Sequence, residues 1–234
     1  MSKALITGGS RGLGKSIADA LALKGWSCTL VARDEPKLKD TISKLKDPKQ
    51  HNYVPLDLSK PELIEDAIGP LFIGKDYHLL VNCAGKTDRS LVVNTSITEL
   101  QSVINTNLTS SLILSKLAAK AMMRRKINGS IINIASVLAE RPMVGSVAYV
   151  TSKAGMVGMT KALALELTRS KIRCNAILPG LMETDMGEMV NSKLFDQLLQ
   201  GDVKKDVVDL VMFLVEHESI TGSTLTVDNG FTVR

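Results

Sequence analysis

The chain has 234 residues and a mass of 25.3 kDa, with 44% hydrophobic and 23% charged residues, the balance of an ordinary globular protein. No run of about 18 apolar residues is present to span a membrane, so no membrane association is expected. The net charge of +5 would suit a nucleic-acid binder, but only 3% of residues are aromatic and no nucleic-acid motif occurs, so no such partner is expected.

Short apolar runs alternate with helical patterns, and no repeat or linker divides the chain. The predicted strands are Ala4 to Ile6, Cys28 to Ala32, Asn52 to Pro55, Leu79 to Asn82, Ser130 to Ala135, Arg173 to Leu178 and Ser223 to Val227. This alternation predicts an α/β fold of Rossmann type, a doubly wound parallel sheet of seven strands with helices on both faces. We expect one domain over residues 1–234, with ligands bound beyond the carboxyl ends of the strands.

The beginning of the chain and the cysteines bear on its compartment. A strand begins within a few residues of Met1, which leaves no room for a signal peptide. Cys28, Cys83 and Cys174 lack CxxC spacing and fall in apolar segments, so reduced core thiols are predicted and no metal site is expected. Both features indicate an intracellular protein, of the cytoplasm or the mitochondrial matrix.

The turn after the first strand is rich in glycine. It reads TGGSRGLG from Thr7 to Gly14 and precedes a predicted helix from Lys15 to Lys24. Glycines allow close backbone approach, and a helix N-terminus offers unpaired N–H groups to a pyrophosphate. The spacing differs from GxGxxG, and plain turn chemistry also uses glycine, but the position at the first strand-to-helix turn favours a dinucleotide site. The residues assigned to this site are Gly8, Ser10, Arg11, Gly12, Leu13 and Gly14.

The second strand ends at Ala32 and is followed by Arg33 and Asp34. An NAD site would place a carboxylate here for the ribose 2′-OH. Arg33, together with Arg11 in the glycine turn, favours a 2′-phosphate and therefore NADP as the cofactor. Asp34 weakens this inference, because it is able to pair with Arg33 on the surface.

The ends of the third and fourth strands add further cofactor contacts. Asp57 is expected either to accept a hydrogen bond from an adenine amino group or to cap a helix beginning near Pro61. Small residues after the fourth strand would let the backbone approach a ribose. The residues assigned to cofactor binding at these two ends are Asp57, Leu58, Asn82, Ala84 and Gly85.

Tyr149 and Lys153 lie four residues apart in a helix predicted from Tyr149 to about Arg169, and Ser136 precedes the tyrosine by thirteen residues. Side chains at i and i+4 share one face, with Cβ atoms roughly 5–6 Å apart. An ammonium at that distance favours the phenolate by roughly 3 kcal/mol, or about 2 pK units, and would bring the phenol into the range of general acids. Ser136 is placed to hold a substrate oxygen. A solvated helical pair has the same spacing, so the motif needs support from elsewhere.

Asn107 lies in the sequence NTNL, within an apolar helix predicted from Thr98 to Arg125. Asparagine is a mediocre helix former and costs free energy when it is buried without a partner. A structural bond from its side chain to the backbone and a role in the site both fit the sequence.

Together these motifs resemble the short-chain dehydrogenase/reductase family. The resemblance rests on TGGSRGLG, the NCAG turn, NTNL, the Ser136, Tyr149 and Lys153 set, and Pro179-Gly180 followed by Thr184, and it runs from about Ala4 to Gly230. Within the family the chain is most similar to the 3-oxoacyl-[acyl-carrier-protein] reductases of fatty-acid synthesis. That closer likeness lies in ETDM at Glu183 to Met186 and in ITGSTLTVDNG at Ile220 to Gly230.

The resemblance implies reduction of 3-oxoacyl thioesters, bound to acyl carrier protein, by NADPH. Tyr149 would donate the proton, and Lys153 would lower its pKa and bind the nicotinamide ribose. Ser136 would orient the carbonyl, and Asn107 would hold a water that links Lys153 to solvent. Residues beside the nicotinamide would be Pro179, Gly180, Leu181 and Thr184, and a substrate lid would run from Met186 to Leu199. A carbonyl, quinone or hydroxysteroid reductase of the same family, and an NADP-binding subunit without turnover, stay open as alternatives.

Three departures from the family pattern occur. Cys83 replaces a common asparagine, a change expected to be harmless because cysteine is small and tolerates burial. Asn229 replaces a glycine near the C-terminus, which asparagine tolerates because it can adopt the left-handed conformation. The segment from Gln200 to Lys205 is shorter than in many relatives, which leaves the lid and part of the usual subunit contact unspecified.

Family resemblance also implies a homotetramer in which the helices Thr98 to Arg125 and Tyr149 to Arg169 pair across a two-fold axis. The small residues expected to permit close approach are Ala118, Ala119, Ala154 and Gly158. Basic residues end both helices, and we name them together the basic patch: Arg124, Arg125, Lys126, Arg169 and Lys171. Helix dipoles account for one or two such charges, whereas five suggest a docking surface for an acidic acyl carrier protein.

Overall fold

The computed structural model of this chain describes residues 1–88, 90–182 and 201–233. Its strands are β1 (Lys3–Thr7), β2 (Ser27–Ala32), β3 (Asn52–Pro55), β4 (Tyr77–Asn82), β5 (Ser130–Ile134), β6 (Arg173–Pro179) and β7 (Thr224–Val227). They form one seven-stranded sheet in the order β3-β2-β1-β4-β5-β6-β7, with every neighbouring pair parallel. The predicted fold class is confirmed.

Helices cover both faces of the sheet. In the part of the chain that the structure describes, the α-helices are α1 (Gly12–Leu23), α2 (Glu35–Lys44), α3 (Ile64–Ile68), α4 (Ile97–Ile104), α5 (Ser110–Arg125), α6 (Val147–Leu167) and α7 (Val203–Glu216). The helix predicted from Thr98 to Arg125 is divided by a turn of π-helix at Asn105–Thr109. Serine hydroxyls bond to carbonyls within this turn, from Ser110 to Thr106 at 2.7 Å and from Ser111 to Asn107 at 2.8 Å. Such back-bonding disturbs the regular helical ladder.

Successive side chains along each strand point to opposite faces of the sheet, so the core has two layers. In β1, Ala4 and Ile6 pack with α1 and α7 on one face, whereas Leu5 packs with α3 and α5 on the other. All three side chains are completely buried, as expected for a strand covered on both faces. Each fully buried side chain of the size of leucine or isoleucine contributes roughly 1.5–3 kcal/mol.

Two smaller features of the described residues bear on the sequence analysis. Asn229 has φ of 52°, which is the left-handed conformation expected where it replaces a glycine. Among residues 1–88, 90–182 and 201–233, no helix has the length and apolar character needed to cross a membrane.

The basic patch lies at the edge of the sheet where β5 and β6 begin. Its two halves precede β5 and β6, which are paired, and Arg173 donates its N–H to the carbonyl of Gly129. The helices run antiparallel to the strands, however, so this edge is opposite the carboxyl ends where ligands bind. Arg125 of the patch also forms an ion pair with Asp76.

Candidate active site

A cavity of about 690 Å³ lies beyond the carboxyl ends of the central strands. The predicted site residues that line it are Gly8, Ser10, Arg11, Gly12, Leu13, Gly14, Arg33, Asp57, Leu58, Ala84, Gly85, Ser136, Tyr149, Lys153, Pro179, Gly180 and Leu181. Asn82 and Asn107 do not line the cavity. Thr184 and the proposed lid from Met186 to Leu199 lie outside the described residues.

The glycine turn leads directly into the first turn of α1, so the helix begins earlier than Lys15. Gly8 has φ of 70°, and a Cβ there would lie 3.0 Å from Cα of Ala84. A Cβ on Gly14 would lie 2.4 Å from the carbonyl oxygen of Gly8, so only glycine allows α1 to approach the turn this closely. Thr7 fixes the opposite wall, because its Oγ1 accepts the N–H groups of Cys83 and Ala84, both at 2.9 Å.

The N-terminus of α1 fits an anionic group such as a pyrophosphate. Its N-cap residue, Arg11, makes no side-chain cap hydrogen bond, and its first turn contains no acidic residue. A helix N-terminus of this kind presents backbone N–H groups and a positive dipole end to an anion. The residues present therefore fit a dinucleotide cofactor.

Positive side chains gather at the β2 end of the cavity. Asp34, which the sequence suggested as a partner of Arg33, instead caps α2 and pairs with Lys37. The hydrogen bond from the Lys37 N–H holds the pKa of the Asp34 carboxyl below its usual range. Lys37 lines the cavity beside Arg11 and Arg33 and was not identified from the sequence. The sequence feature that could have identified Lys37 is a basic residue in the first turn of the helix that follows the second strand.

Asp57 lies beside this end and is held by a local turn. Burial acts to raise the pKa of its carboxyl, but hydrogen bonds from the N–H and hydroxyl of Ser59, with Arg33 nearby, lower it overall. The helical turn that follows, at Pro61–Leu63, is not capped by a side chain. Asp57 therefore lines the cavity without capping that turn.

Asn82 belongs to the core and not to the cavity. Its side chain is completely buried and donates to Oδ1 of Asn133 at 2.8 Å and to Oγ of Ser115 at 3.1 Å. Asn133 is the residue paired with it on β5. The side chain at the last position of β4 therefore points into the helical layer, and the assignment of Asn82 to the cofactor site stays a prediction that concerns its backbone.

Tyr149 and Ser136 form the catalytic end of the cavity. Tyr149 is 9% exposed in the first turn of α6, and Ser136 is 7% exposed directly after β5. The Ser136 hydroxyl lies near enough to the phenol to lower its pKa, and it accepts the N–H of Leu138 at 3.2 Å. The phenol is thus held beside a hydroxyl, in a site that largely excludes water.

Lys153 lies one helical turn further along α6 and is 3% exposed. Its Nζ donates to the carbonyl of Ile134 at 2.7 Å and lies 5.7 Å from the centroid of the Tyr149 ring. Burial lowers the pKa of Lys153 from its ordinary 10.5 to about 8. The alternative of a solvated Tyr–Lys pair is therefore excluded.

The expected lowering of the phenol pKa is not found. Burial raises the pKa of Tyr149 above its ordinary value of 10.0, and the Ser136 hydroxyl opposes this only in part. The reason is that both side chains are buried, and burial disfavours the charged phenolate as well as the charged ammonium. The phenol is therefore protonated at neutral pH.

Asn107 is completely buried, and its side chain is engaged in structural bonds. Oδ1 accepts the N–H of Lys86 at 2.8 Å, while Nδ2 donates to the carbonyl of Lys86 at 2.9 Å and to Oγ of Ser152 at 2.8 Å. These bonds agree with the prediction that the Asn107 side chain forms a structural bond to the backbone. They fix the segment after β4, which lines the cavity from Cys83 to Thr87.

The wall beyond Tyr149 is mostly apolar. It includes Val137, Leu138, Met143, Leu181 and Met182. Leu181 and Met182 fall within the stretch from Pro179 to Thr184 that the family resemblance places beside the nicotinamide, whereas the other three were not identified from the sequence. Cys83 also lines the cavity, and burial raises the pKa of its thiol to about 12, so the thiol is not a nucleophile at neutral pH. The cavity therefore joins a charged end to an apolar end across the Tyr149 phenol.

The chain combines a doubly wound sheet and a glycine-rich turn with a buried serine, tyrosine and lysine that line the same cavity. This combination defines a nicotinamide-dependent oxidoreductase. A family model described as short chain dehydrogenase matches residues 2–194. The chain belongs to the short-chain dehydrogenase family.

Three relatives illustrate the range of the similarity. A 3-oxoacyl-[acyl-carrier-protein] reductase of Rattus norvegicus is 33% identical over 235 residues, which cover 96% of this chain and 95% of that protein. A (3R)-3-hydroxyacyl-CoA dehydrogenase of the same species is 32% identical over 248 residues, covering 97% and 95%. Carbonyl reductase family member 4 of Xenopus tropicalis is 31% identical over 232 residues, covering 96% and 95%.

Solved structures show the same fold with either nicotinamide cofactor. A 4-hydroxyisoleucine dehydrogenase complexed with NADH superposes with a TM-score of 0.93 at 29% identity, covering 100% of both chains. A single-residue variant of actinorhodin polyketide ketoreductase with NADPH has a TM-score of 0.89 at 29% identity, covering 100% of this chain and 98% of that one. A nicotinamide cofactor is supported, whereas the choice between NADH and NADPH is left to the residues of the cavity.

Proposed function

We propose that this protein reduces 3-oxoacyl thioesters to 3-hydroxyacyl thioesters with NADPH. The observation that supports this most directly is the cavity in which Tyr149, Ser136 and Lys153 lie between a cationic dinucleotide end and an apolar wall. An apolar wall suits an acyl chain. The relatives named 3-oxoacyl-[acyl-carrier-protein] reductase supply the substrate class.

The cofactor, when bound, supplies the hydride that reduces the substrate carbonyl. Ser136 and Tyr149 would hold the carbonyl oxygen by hydrogen bonds, and the phenol would transfer its proton to that oxygen as the alcohol forms. A buried phenol with a raised pKa suits this direction, because it enters the reaction protonated. Lys153 would then stabilise the phenolate and return a proton to it.

NADPH is proposed over NADH because of the charges at the β2 end. Arg11, Arg33 and Lys37 line the cavity there, and Asp34 pairs with Lys37. A ribose 2′-phosphate would meet three positive side chains at this end, and Asp57 lies beyond it on the adenine side. Pro179, Gly180 and Leu181 would lie beside the nicotinamide, with Thr184 a further predicted contact.

A second reaction is supported by a different observation. The apolar wall contains Met143, which is 39% exposed, and among the described residues at this end the only basic side chains are Lys86 and Lys153. Such a wall would also accept a free carbonyl compound, a quinone or a steroid, and one relative is named a carbonyl reductase. This second function stays a candidate until substrates are compared.

Assembly into a homotetramer is part of the proposal. A groove of about 600 Å³ lies between α5 and α6 and is lined mainly by apolar side chains, among them Leu112, Met123 and Leu163. Leu165, nearby on α6, is 81% exposed. Ala118 is completely buried within the subunit, so it does not provide the close approach that the sequence suggested, whereas Ala119 lines the groove and Ala154 and Gly158 are exposed.

The basic patch and the assembly are connected. Within one subunit the patch lies at the edge opposite the cavity, so a carrier docked there could not present its substrate to the same subunit. Antiparallel pairing of α5 and α6 across a two-fold axis would bring the helix ends of one subunit towards the cavity of the other. We therefore propose docking of an acidic carrier protein across the subunit boundary.

Steady-state oxidation of NADPH with matched substrates tests the proposed function. An acetoacetyl thioester is compared with a quinone and a steroid ketone at equal enzyme concentration. The proposal predicts the highest kcat/KM for the thioester. A higher kcat/KM for the quinone or the steroid would establish the second function instead, and no turnover of any of the three would refute both.

A further inference from the structure

Asp88 lies in the segment after β4 and is 5% exposed. Both of its carboxylate oxygens accept backbone N–H groups from the first turn of α6. Oδ2 accepts from Ala148 at 2.8 Å and Oδ1 from Tyr149 at 3.0 Å. A residue sixty positions earlier in the chain therefore provides the N-terminal cap of the helix that contains the phenol.

This cap meets a local need of α6. The first N–H groups of a helix have no partner within the helix and are satisfied by a cap or by solvent. The residue at the N-cap position, Ser146, makes no cap hydrogen bond, and its hydroxyl donates to the carbonyl of Met143 at 2.5 Å. A carboxylate at a helix N-terminus also interacts favourably with the helix dipole.

The backbone carbonyl of Tyr149 is held as well as its N–H group. Oγ of Ser152 donates to the carbonyl of Tyr149 at 2.7 Å and accepts from Nδ2 of Asn107 at 2.8 Å. Asn107 in turn bonds to both backbone groups of Lys86, two residues before Asp88. The bonds close a ring that joins the π-helical turn, the segment after β4 and the first turn of α6.

We propose that Asp88 is a positioning residue for the reaction, which fixes the main chain of Tyr149 through this ring. The inference rests on the proposed function in one respect, the role of Tyr149 as proton donor. Asp88 does not line the cavity, so it acts through the backbone of Tyr149. Misplacement of a reacting group by about 1 Å can reduce turnover by about 10²-fold, so the loss of a two-bond cap has a measurable effect.

The test compares Asp88→Ala and Asp88→Asn with Asp202→Ala. Asp202 is a matched control, because it caps α7 by accepting the N–H of Lys205 at 2.9 Å and does not line the cavity. Amide hydrogen exchange of the full chain is measured for the peptide that contains Ala148 and Tyr149, together with kcat, KM and the Kd of NADPH. Asparagine retains one acceptor oxygen, so it restores part of the cap and guards against a variant that fails to fold.

We expect Asp88→Ala to raise exchange at Ala148 and Tyr149 at least about tenfold, because the N–H groups lose their acceptors. Its kcat should fall by about 10²-fold, with the Kd of NADPH changed by less than about threefold. Asp88→Asn should give intermediate values, and Asp202→Ala should change exchange only in α7.

Unchanged exchange at Ala148 and Tyr149 in Asp88→Ala would overturn the proposal, as would a kcat equal to that of the wild type. Failure of the proposed function is distinguishable, because it appears as a wild-type protein without turnover. In that case the hydrogen-exchange measurement alone shows whether Asp88 fixes the main chain of Tyr149.

Discussion

We expect Arg33 to govern the choice between NADPH and NADH, because it lines the cavity together with Arg11 and Lys37, where we propose that a ribose 2′-phosphate binds. Arg33→Asp should weaken NADPH and shift the ratio of kcat/KM towards NADH by at least about tenfold, or roughly 1.4 kcal/mol. Steady-state kinetics with both cofactors measures the ratio. Lys49→Asp, at an exposed position outside the cavity and outside the basic patch, serves as the control and should leave it unchanged. An unchanged ratio in Arg33→Asp would mean that Arg11 and Lys37 bind the 2′-phosphate without Arg33.

Lys153 links the chemistry of the site to the stability of the chain. Its pKa is lowered by burial from 10.5 to about 8, so the unfolded chain binds more protons than the folded chain between these two pH values. Stability therefore rises with pH across that window. Below about pH 8 both states are protonated, and the folded chain bears the full cost of the buried charge, roughly 3 kcal/mol.

Lys153→Met should consequently raise the free energy of unfolding at neutral pH while it abolishes turnover. The difference in the free energy of unfolding between the variant and the wild type should shrink as pH rises from about 8 towards 10.5. The reason is that Lys153 of the folded wild type is deprotonated in that window and no longer carries a buried charge. Denaturant unfolding at a series of pH values measures this. Lys161→Met, at an exposed position of the same helix, should show no such trend. A gain that does not vary with pH would contradict the account.

At the scale of single elements, the close approach of α1 to the glycine turn is the feature most sensitive to substitution. Gly14→Ala would place a Cβ 2.4 Å from the carbonyl oxygen of Gly8, so helix and turn must separate. We expect a fall in Tm and at least about a tenfold rise in the Kd of NADPH, equal to roughly 1.4 kcal/mol. Gly69→Ala is the control, since a Cβ there meets no atom within 4 Å. Equal cofactor affinity in the two variants would show that the approach is not needed.

The strands and the cavity at their carboxyl ends were predictable, because buried parallel strands leave continuous apolar runs in the sequence. The π-helical turn at Asn105–Thr109 was not, since the residues around it are compatible with a regular helix. The cap from Asp88 was also beyond sequence reasoning. Ser146 has the side chain and position of an ordinary N-cap, and only the tertiary structure brings Asp88 to α6.

The same limit applies to the electrostatics of the site. The spacing of Tyr149 and Lys153 predicted that they share a face, but the extent of their burial depends on the loops around them. Burial is what reversed the expected direction of the Tyr149 pKa. Pairwise spacing in a sequence therefore predicts contact better than it predicts protonation.

At the scale of the whole molecule, the position of the basic patch leads to a prediction about assembly. Arg125 is already paired with Asp76, so the test uses Arg124→Glu with Arg169→Glu. These changes should raise KM for a carrier-bound substrate in a salt-dependent way, because rim charges act mainly on association and are screened over about 8–10 Å. A small thioester should be unaffected.

The control for this test is Lys49→Glu, which changes the net charge at an exposed site far from the patch. KM is measured with both substrates at two salt concentrations for each variant. The oligomeric state of each variant is measured by sedimentation. Equal effects on both substrates, or none on either, would leave the helix-dipole explanation of these charges standing. A stable monomer at micromolar concentration would separately contradict the proposed assembly.

The account depends most on Tyr149 as the proton donor in reduction by NADPH, and one measurement tests this directly. Oxidation of NADPH in the presence of an acetoacetyl thioester is followed for the wild type and for Tyr149→Phe, which keeps the ring and removes the hydroxyl. The account predicts turnover by the wild type, a loss of roughly 10²-fold to 10⁴-fold in the variant, and nearly equal binding of NADPH to both. A variant as active as the wild type, or a wild type that leaves the thioester unreduced, would contradict it.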